Sequence, residues 1–453
     1  MGLLLQKRGA RSTDCFAPGA YFTPQCYAEK LGEDGSMKKY AILCILILLL
    51  PLIITSSAEA ITLEKYKMTE MLYPREKNFN GSIYPSWALD WSPDGTYLAS
   101  SRLNYSQDSM MVWDMKNGEV VFSYNKPFYQ LSFSPDGKYL AAAGGINENL
   151  TVFDVQSWSV IYENYTDQKG TVSVSWAPNG LYLASGGEDA TVKIIDIKTW
   201  NLTAELTISG GYNTALSWSP DGRYIAASSI DIASVGSVII WSTETWSRIK
   251  TLYIDADEFV HTITYALTWS ADSSMLFAGM GTATVHNPYY HYPLLYVWNT
   301  KNWQEVAHSV ISYKDDRYVF SLSYNNLTGQ IAAGIAGVHY SYSASPYQTS
   351  EVLLLDAETL SITQTVTQYD TQSDFRATFA VAFSPDGRKL AIAGPELAIY
   401  EKRPDYSPLY KYIVTGAVIV IIALLYMKRR RKNAPDVELE EREAKDPVQW
   451  RFF

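Results

Sequence analysis

Polar and apolar residues alternate in short runs between Thr171 and Thr203 (TVSVSWAPNGLYLASGGEDATVKIIDIKTWNLT). Residues 171–176 alternate with a period of two, which gives a strand one face for a core. Ala177-Pro178-Asn179-Gly180 is a turn, because Pro presets its φ and Gly accepts a positive one. Residues 181–185 and 191–197 read as a second and a third strand, and Lys198-Thr199-Trp200 turns into a fourth. Such a unit is antiparallel and cannot bury both of its faces alone. It needs copies of itself.

The copies are present. The turn recurs as Ser92-Pro93-Asp94-Gly95, Ser134-Pro135-Asp136-Gly137, Ser219-Pro220-Asp221-Gly222 and Ser384-Pro385-Asp386-Gly387. Altered versions stand at Ser270-Ala271-Asp272-Ser273 and Asn325-Asn326-Leu327-Thr328-Gly329. Seven units follow, the first four spaced by 42, 43 and 42 residues and the later ones by 51 to 59. Four strands per unit at a period of about 40–45 residues predict a β-propeller.

The third strands end in Met111-Val112-Trp113-Asp114, Val152-Phe153-Asp154, Ile194-Ile195-Asp196, Ile239-Ile240-Trp241, Tyr296-Val297-Trp298 and Leu354-Leu355-Asp356. With the Trp-Asp pair at 113–114, residues 61–405 resemble the WD40-repeat family. Asp189 stands where that family has a structural aspartate, and the family's Gly-His pair before the first strand is missing throughout. The resemblance implies an all-β, seven-bladed WD40-like propeller that acts as an interaction scaffold without catalysis. It also implies that the N-terminal segment 61–72 supplies the outer strand missing from the seventh unit.

The flanks carry different patterns. Residues 1–36 have no repeat and read as a non-native or disordered extension. Met37-Lys38-Lys39, the apolar run 40–54 and Ala58-Glu59-Ala60 form a basic head, an apolar middle and a small-residue cleavage site, so 37–60 is expected to be a signal peptide or signal anchor. Residues 412–427 (YIVTGAVIVIIALLYM) are apolar and uncharged, and Lys428-Arg429-Arg430-Arg431-Lys432 follows at once. The expectation is one C-terminal transmembrane helix, 410–427, and a cytoplasmic basic cluster with a short polar tail, 428–453. Both features place the propeller outside a plasma membrane, as a single-pass protein. Asn80, Asn104, Asn149, Asn164, Asn201 and Asn326 then become candidate glycosylation sites, each opening an Asn-x-Ser/Thr triplet.

Charge narrows the partners. Residues 61–408 hold 22 Lys/Arg and 36 Asp/Glu, a net of −14, which argues against nucleic acid. The three cysteines, Cys15, Cys26 and Cys44, all precede the repeats, so no Cys-based metal site is expected there. No catalytic signature and no cofactor motif is present.

The fifth and sixth units carry 282–293 (TATVHNPYYHYP) and 338–350 (VHYSYSASPYQTS), read as insertions between the second and third strands on the top face. They hold the candidate binding residues Tyr289, Tyr290, His291, Tyr292, Tyr340, Tyr342 and Tyr347, beside His286 and His339. Clustered tyrosines offer rigid contact area with a phenol to hydrogen-bond, suited to a protein or a cell-envelope glycan. The alternatives are a propeller enzyme with a metal or cofactor in the central channel, and a structural envelope component. Trp158, Trp200, Trp246 and Trp303 recur at one offset after the third strand, a position expected to pack over each blade's own edge rather than to form a membrane belt.

Overall fold

The structure is a computed structural model. It describes residues 64–73, 86–102, 108–144, 149–164, 170–208, 215–229, 236–254, 259–284, 287–311, 317–339, 347–371, 380–394, 397–404, 416 and 419–425. The chain forms two compact units, Lys65–Arg403 and the two chain ends together.

The larger unit is a ring of seven antiparallel four-stranded sheets. Blade 1 is β2 (Ser86–Trp91), β3 (Tyr97–Arg102), β4 (Met110–Asp114) and β5 (Glu119–Tyr124). Blade 2 is β6 (Gln130–Phe133), β7 (Tyr139–Gly144), β8 (Asn149–Asp154) and β9 (Ser159–Asn164). Blade 3 is β10 (Thr171–Trp176), β11 (Tyr182–Gly187), β12 (Thr191–Asp196) and β13 (Asn201–Thr207). Blade 4 is β14 (Leu216–Trp218), β15 (Tyr224–Ser229), β16 (Ser237–Ser242) and β17 (Arg248–Tyr253). Blade 5 is β18 (Phe259–Trp269), β19 (Met275–Thr284), β20 (Asn287–Asn299) and β21 (Gln304–Val310). Blade 6 is β22 (Arg317–Asn325), β23 (Gln330–His339), β24 (Tyr347–Asp356) and β25 (Ile362–Thr371). Blade 7 joins β26 (Ala380–Phe383), β27 (Lys389–Ala393) and β28 (Leu397–Pro404) to the first strand of the chain, β1 (Glu64–Tyr73), which takes the outermost place. That arrangement pairs an edge that an open ring would expose.

The bottom face is built by repetition. In each Ser-Pro-Asp-Gly turn the Asp accepts from the Ser hydroxyl, at 2.6 Å for Ser92–Asp94 and 2.7 Å for Ser134–Asp136, and the Ser Oγ accepts the backbone N–H five residues on. Gly95, Gly137, Gly180, Gly222 and Gly387 sit at φ 68 to 76°, a region only Gly enters without cost. Burial pushes Asp94, Asp136, Asp221 and Asp386 upward, but their hydrogen bonds outweigh it and hold all four below the usual carboxylate range.

The hairpin between third and fourth strands ends in a left-handed residue. It is Gly118 in blade 1, then Trp158, Trp200, Trp246 and Trp303 (φ 51 to 57°), then Leu360 (φ 55°). A bulky residue there costs ~1–3 kcal/mol, and packing across the blade seam offsets it. Trp200 stacks on Tyr162 of the preceding blade at 4.7 Å and meets Tyr139 edge-on. Trp158 stacks on Phe122 at 5.2 Å, and Trp246 and Trp303 meet Tyr182 and Tyr224 edge-on. The tryptophans therefore clasp the preceding blade, and Trp246 and Trp303 also meet Trp218 and Trp269 of their own blades edge-on. Where the partner tyrosine becomes Met275, the clasp becomes Leu360, and the two share one core cluster.

One expectation is corrected in blade 5 and another is narrowed in blade 6. Residues 282–293 do not form an inserted loop: β19 and β20 run on as paired strands, Gly281 opposite Pro293 and Thr284 opposite Asn287. In blade 6, β23 and β24 stay paired up to His339 and Tyr347, and residues 340–346 of the expected insertion lie outside the described residues. The longer repeats lengthen the strands, because Val, Thr and Tyr favour the pleated conformation.

In the smaller unit the described residues include a short helical piece, Gly416 and 419–425, whose Ile419, Ile422 and Leu425 are exposed. No helix among the described residues is long and apolar enough to cross a membrane. The expected signal segment, 37–60, and most of the expected span lie outside the described residues.

Candidate site at the central channel

The seven innermost strands line a channel of about 530 Å³. Counting back from the aromatic residue that ends each inner strand (Trp91, Phe133, Trp176, Trp218, Trp269, Tyr324 and Phe383), the fourth position back faces the upper mouth. It is Tyr129 in blade 2, Val172 in blade 3, Tyr265 in blade 5 and Phe320 in blade 6, and all four line the channel. The same repeat position is Trp87 in blade 1 and Phe379 in blade 7. Tyr265 lies 4.9 Å from Phe320 and 5.4 Å from Tyr318 across the seam of blades 5 and 6. Gly281 leaves the space that the Tyr318 ring fills. Glu188, exposed, stands at the mouth.

One position back from those aromatic ends, side chains stitch three of the blades to the next. The Ser175 Oγ accepts the Trp218 N–H at 3.0 Å, and the Ser323 Oγ accepts the Phe383 N–H at 2.9 Å. In blade 1 the residue is Asp90, whose Oδ2 accepts the Phe133 N–H at 2.6 Å. Asp90 is half-buried by area, but that area opens into the channel deep in the ring. Burial pushes its carboxyl up to about 7, against the lowering by the Phe133 and Trp91 N–H groups.

The tyrosines expected to bind fare unequally. Tyr292 pairs opposite Thr282 inside blade 5 and is 6% exposed, so it is core and not contact surface. Tyr289, Tyr290 and His291 lie in β20, where residues 288–291 stand opposite Ala283 alone, a bulge in the upper half of the blade. Tyr347 opens β24, and Tyr340, Tyr342 and His286 lie outside the described residues. No group that could hold a metal is found among the described residues. Asp189 bonds only locally, to the N–H and hydroxyl of Thr191, as expected where the family's histidine is missing. Sequence reasoning passed over the mouth ring and Asp90. Their signal was the alignment of seven inner strands, not any local motif.

The WD40 family profile, described as "WD domain, G-beta repeat", matches residues 76–114, 160–196 and 208–231. Those stretches cover the first three strands of blade 1, the last strand of blade 2 with the first three of blade 3, and the first two of blade 4. No curated protein matches the chain. Among solved structures, a chain from one described as "Crystal Structure of Mitotic Checkpoint Complex" is similar in fold, with a TM-score of 0.53 and 19% identity over 74% of this chain and 97% of that one. The chain folds as a seven-bladed propeller, and under a quarter of it is similar to WD40 repeats.

Proposed function

We propose that the chain is a non-catalytic, membrane-anchored scaffold whose upper face, around the channel mouth, binds a protein partner. The observation that carries this reading is the division of the ring. The bottom is occupied by repeated turns and clasps that hold blades together, whereas the mouth gathers Tyr129, Tyr265 and Phe320 and is flanked by the lengthened strands of blades 5 and 6. Rigid aromatic rings with small entropy loss are the usual anchors of protein interfaces.

Anchoring is supported by residues 412–427 and the five cations behind them. Both propeller ends leave on the bottom: Tyr66 of β1 donates to Gly387 of a bottom turn at 2.6 Å, and β28 runs downward to Pro404. Asn164, Asn201 and Asn326 are exposed, as glycosylation of an extracytoplasmic propeller requires.

A photoreactive residue in place of Glu188 tests the reading in native membranes, with one in place of Lys198, in a bottom turn, for comparison. The expected result is a discrete protein adduct from position 188 and none from 198. Adducts from 198 alone would move the interface to the bottom.

A further inference from the structure

Asp90 is a carboxyl at a position where hydroxyls do the same structural task. Ser175 and Ser323 each accept the N–H of the next blade as Asp90 does, and a serine carries no charge to desolvate. A buried carboxyl is costly, so its presence in the channel wall calls for a reason other than the stitch. We propose that the channel binds an organic cation, with an alkylammonium group set against Asp90 and its aliphatic arm passing the ring of Tyr129, Tyr265 and Phe320.

The lining fits that chemistry. Two of the residues that line the channel are acidic, Asp90 and Glu188, and none is basic. An anion would meet uncompensated negative charge, and a neutral ligand would leave the Asp90 charge unused. Asp90 stands three residues below the ring, ~10 Å at ~3.3 Å per residue, and Glu188 stands above it. A linear polycation can span the two, with the electron-rich ring faces between them. The strands packed on Asp90 bring no competing cation. β6 and β26, across the two seams, hold no charged residue, and the one charge on β3, Arg102, pairs at the far end opposite Ser86. The remaining titratable groups of the lining are Tyr129 and Tyr265. The ammonium comes either from a free polyamine or from the lysine side chain of a partner.

Calorimetric titration of the full chain with spermidine, and separately with a blocked Gly-Lys-Gly peptide, distinguishes the two sources at constant ionic strength in KCl. Saturable binding is expected, about tenfold tighter at pH 8 than at pH 5.5, where the Asp90 carboxyl is protonated. Asp90→Ser, the residue of blades 3 and 6, should weaken it by about tenfold and remove the pH dependence. Asp90→Asn serves if the serine variant fails to fold. Spermidine alone or the peptide alone would each support the site and identify its source. Absence of saturable heat with both, or equal affinity in the variants, would overturn the proposal.

Discussion

The lower and upper halves of the ring follow different rules. Below, the same chemistry recurs in blade after blade: a Ser-Asp turn with Gly at positive φ, then a left-handed residue clasped onto the preceding blade. Above, the blades differ. β20 has 13 residues and β16 has 6, and the mouth position is Tyr, Val or Phe according to the blade. Repetition marks what every seam needs. Variation marks where one blade does something its neighbours do not.

The largest expected effect lies in the clasp. Trp200→Ala loses a stacked ring yet keeps the left-handed backbone, and should destabilise the propeller by ~2–3 kcal/mol in urea unfolding. Trp200→Gly loses the same ring but releases the backbone strain, so it should be less damaging by ~1 kcal/mol. Equal losses would mean the backbone is unstrained there.

Protonation separates the channel from the bottom turns next. Asp90 holds its proton up to about pH 7 in the folded chain, while an unfolded Asp loses it near pH ~4. The folded state therefore binds more protons between those values, and its contribution lowers stability as pH rises from ~4 to ~7. The turn aspartates have the opposite sign. Their lowered values add stability above pH ~4 that is lost as pH falls through the folded values. Asp90→Ser should flatten the upper slope and leave acid unfolding in place, measured as melting temperature against pH. A slope that persists between pH 4 and 7 would assign it elsewhere.

Smaller effects sharpen the contrast. Ser175→Ala removes one inter-blade hydrogen bond and should cost ~1 kcal/mol. Glu188→Gln, on an exposed side chain at the mouth, should shift stability by less than ~0.5 kcal/mol. A larger loss at 188 would give the mouth a structural share.

The lower half was legible in the sequence because its determinants are local. Ser-Pro-Asp-Gly fixes a turn within four residues, and its spacing counts the blades. The upper half is less legible. The aromatic run of 289–292 reads as part of an insertion because its repeat is longer than the first four, yet pairing across β19 and β20 extends the strands and buries Tyr292. The mouth ring escaped notice because its members lie more than 40 residues apart in sequence and converge only when the ring closes. Asp90 was hidden by its neighbours: Leu89-Asp90-Trp91 resembles Leu216-Ser217-Trp218 closely enough to pass as one more repeat.

The claim that the seams are held from below by cross-blade aromatic clasps is tested most directly by a double-mutant cycle. Trp200 and Tyr162, stacked at 4.7 Å between blades 3 and 2, are each changed to Ala, singly and together, and unfolded in urea. The account predicts a coupling of ~1 kcal/mol. Strict additivity would contradict it, since each ring would then stabilise only its own blade.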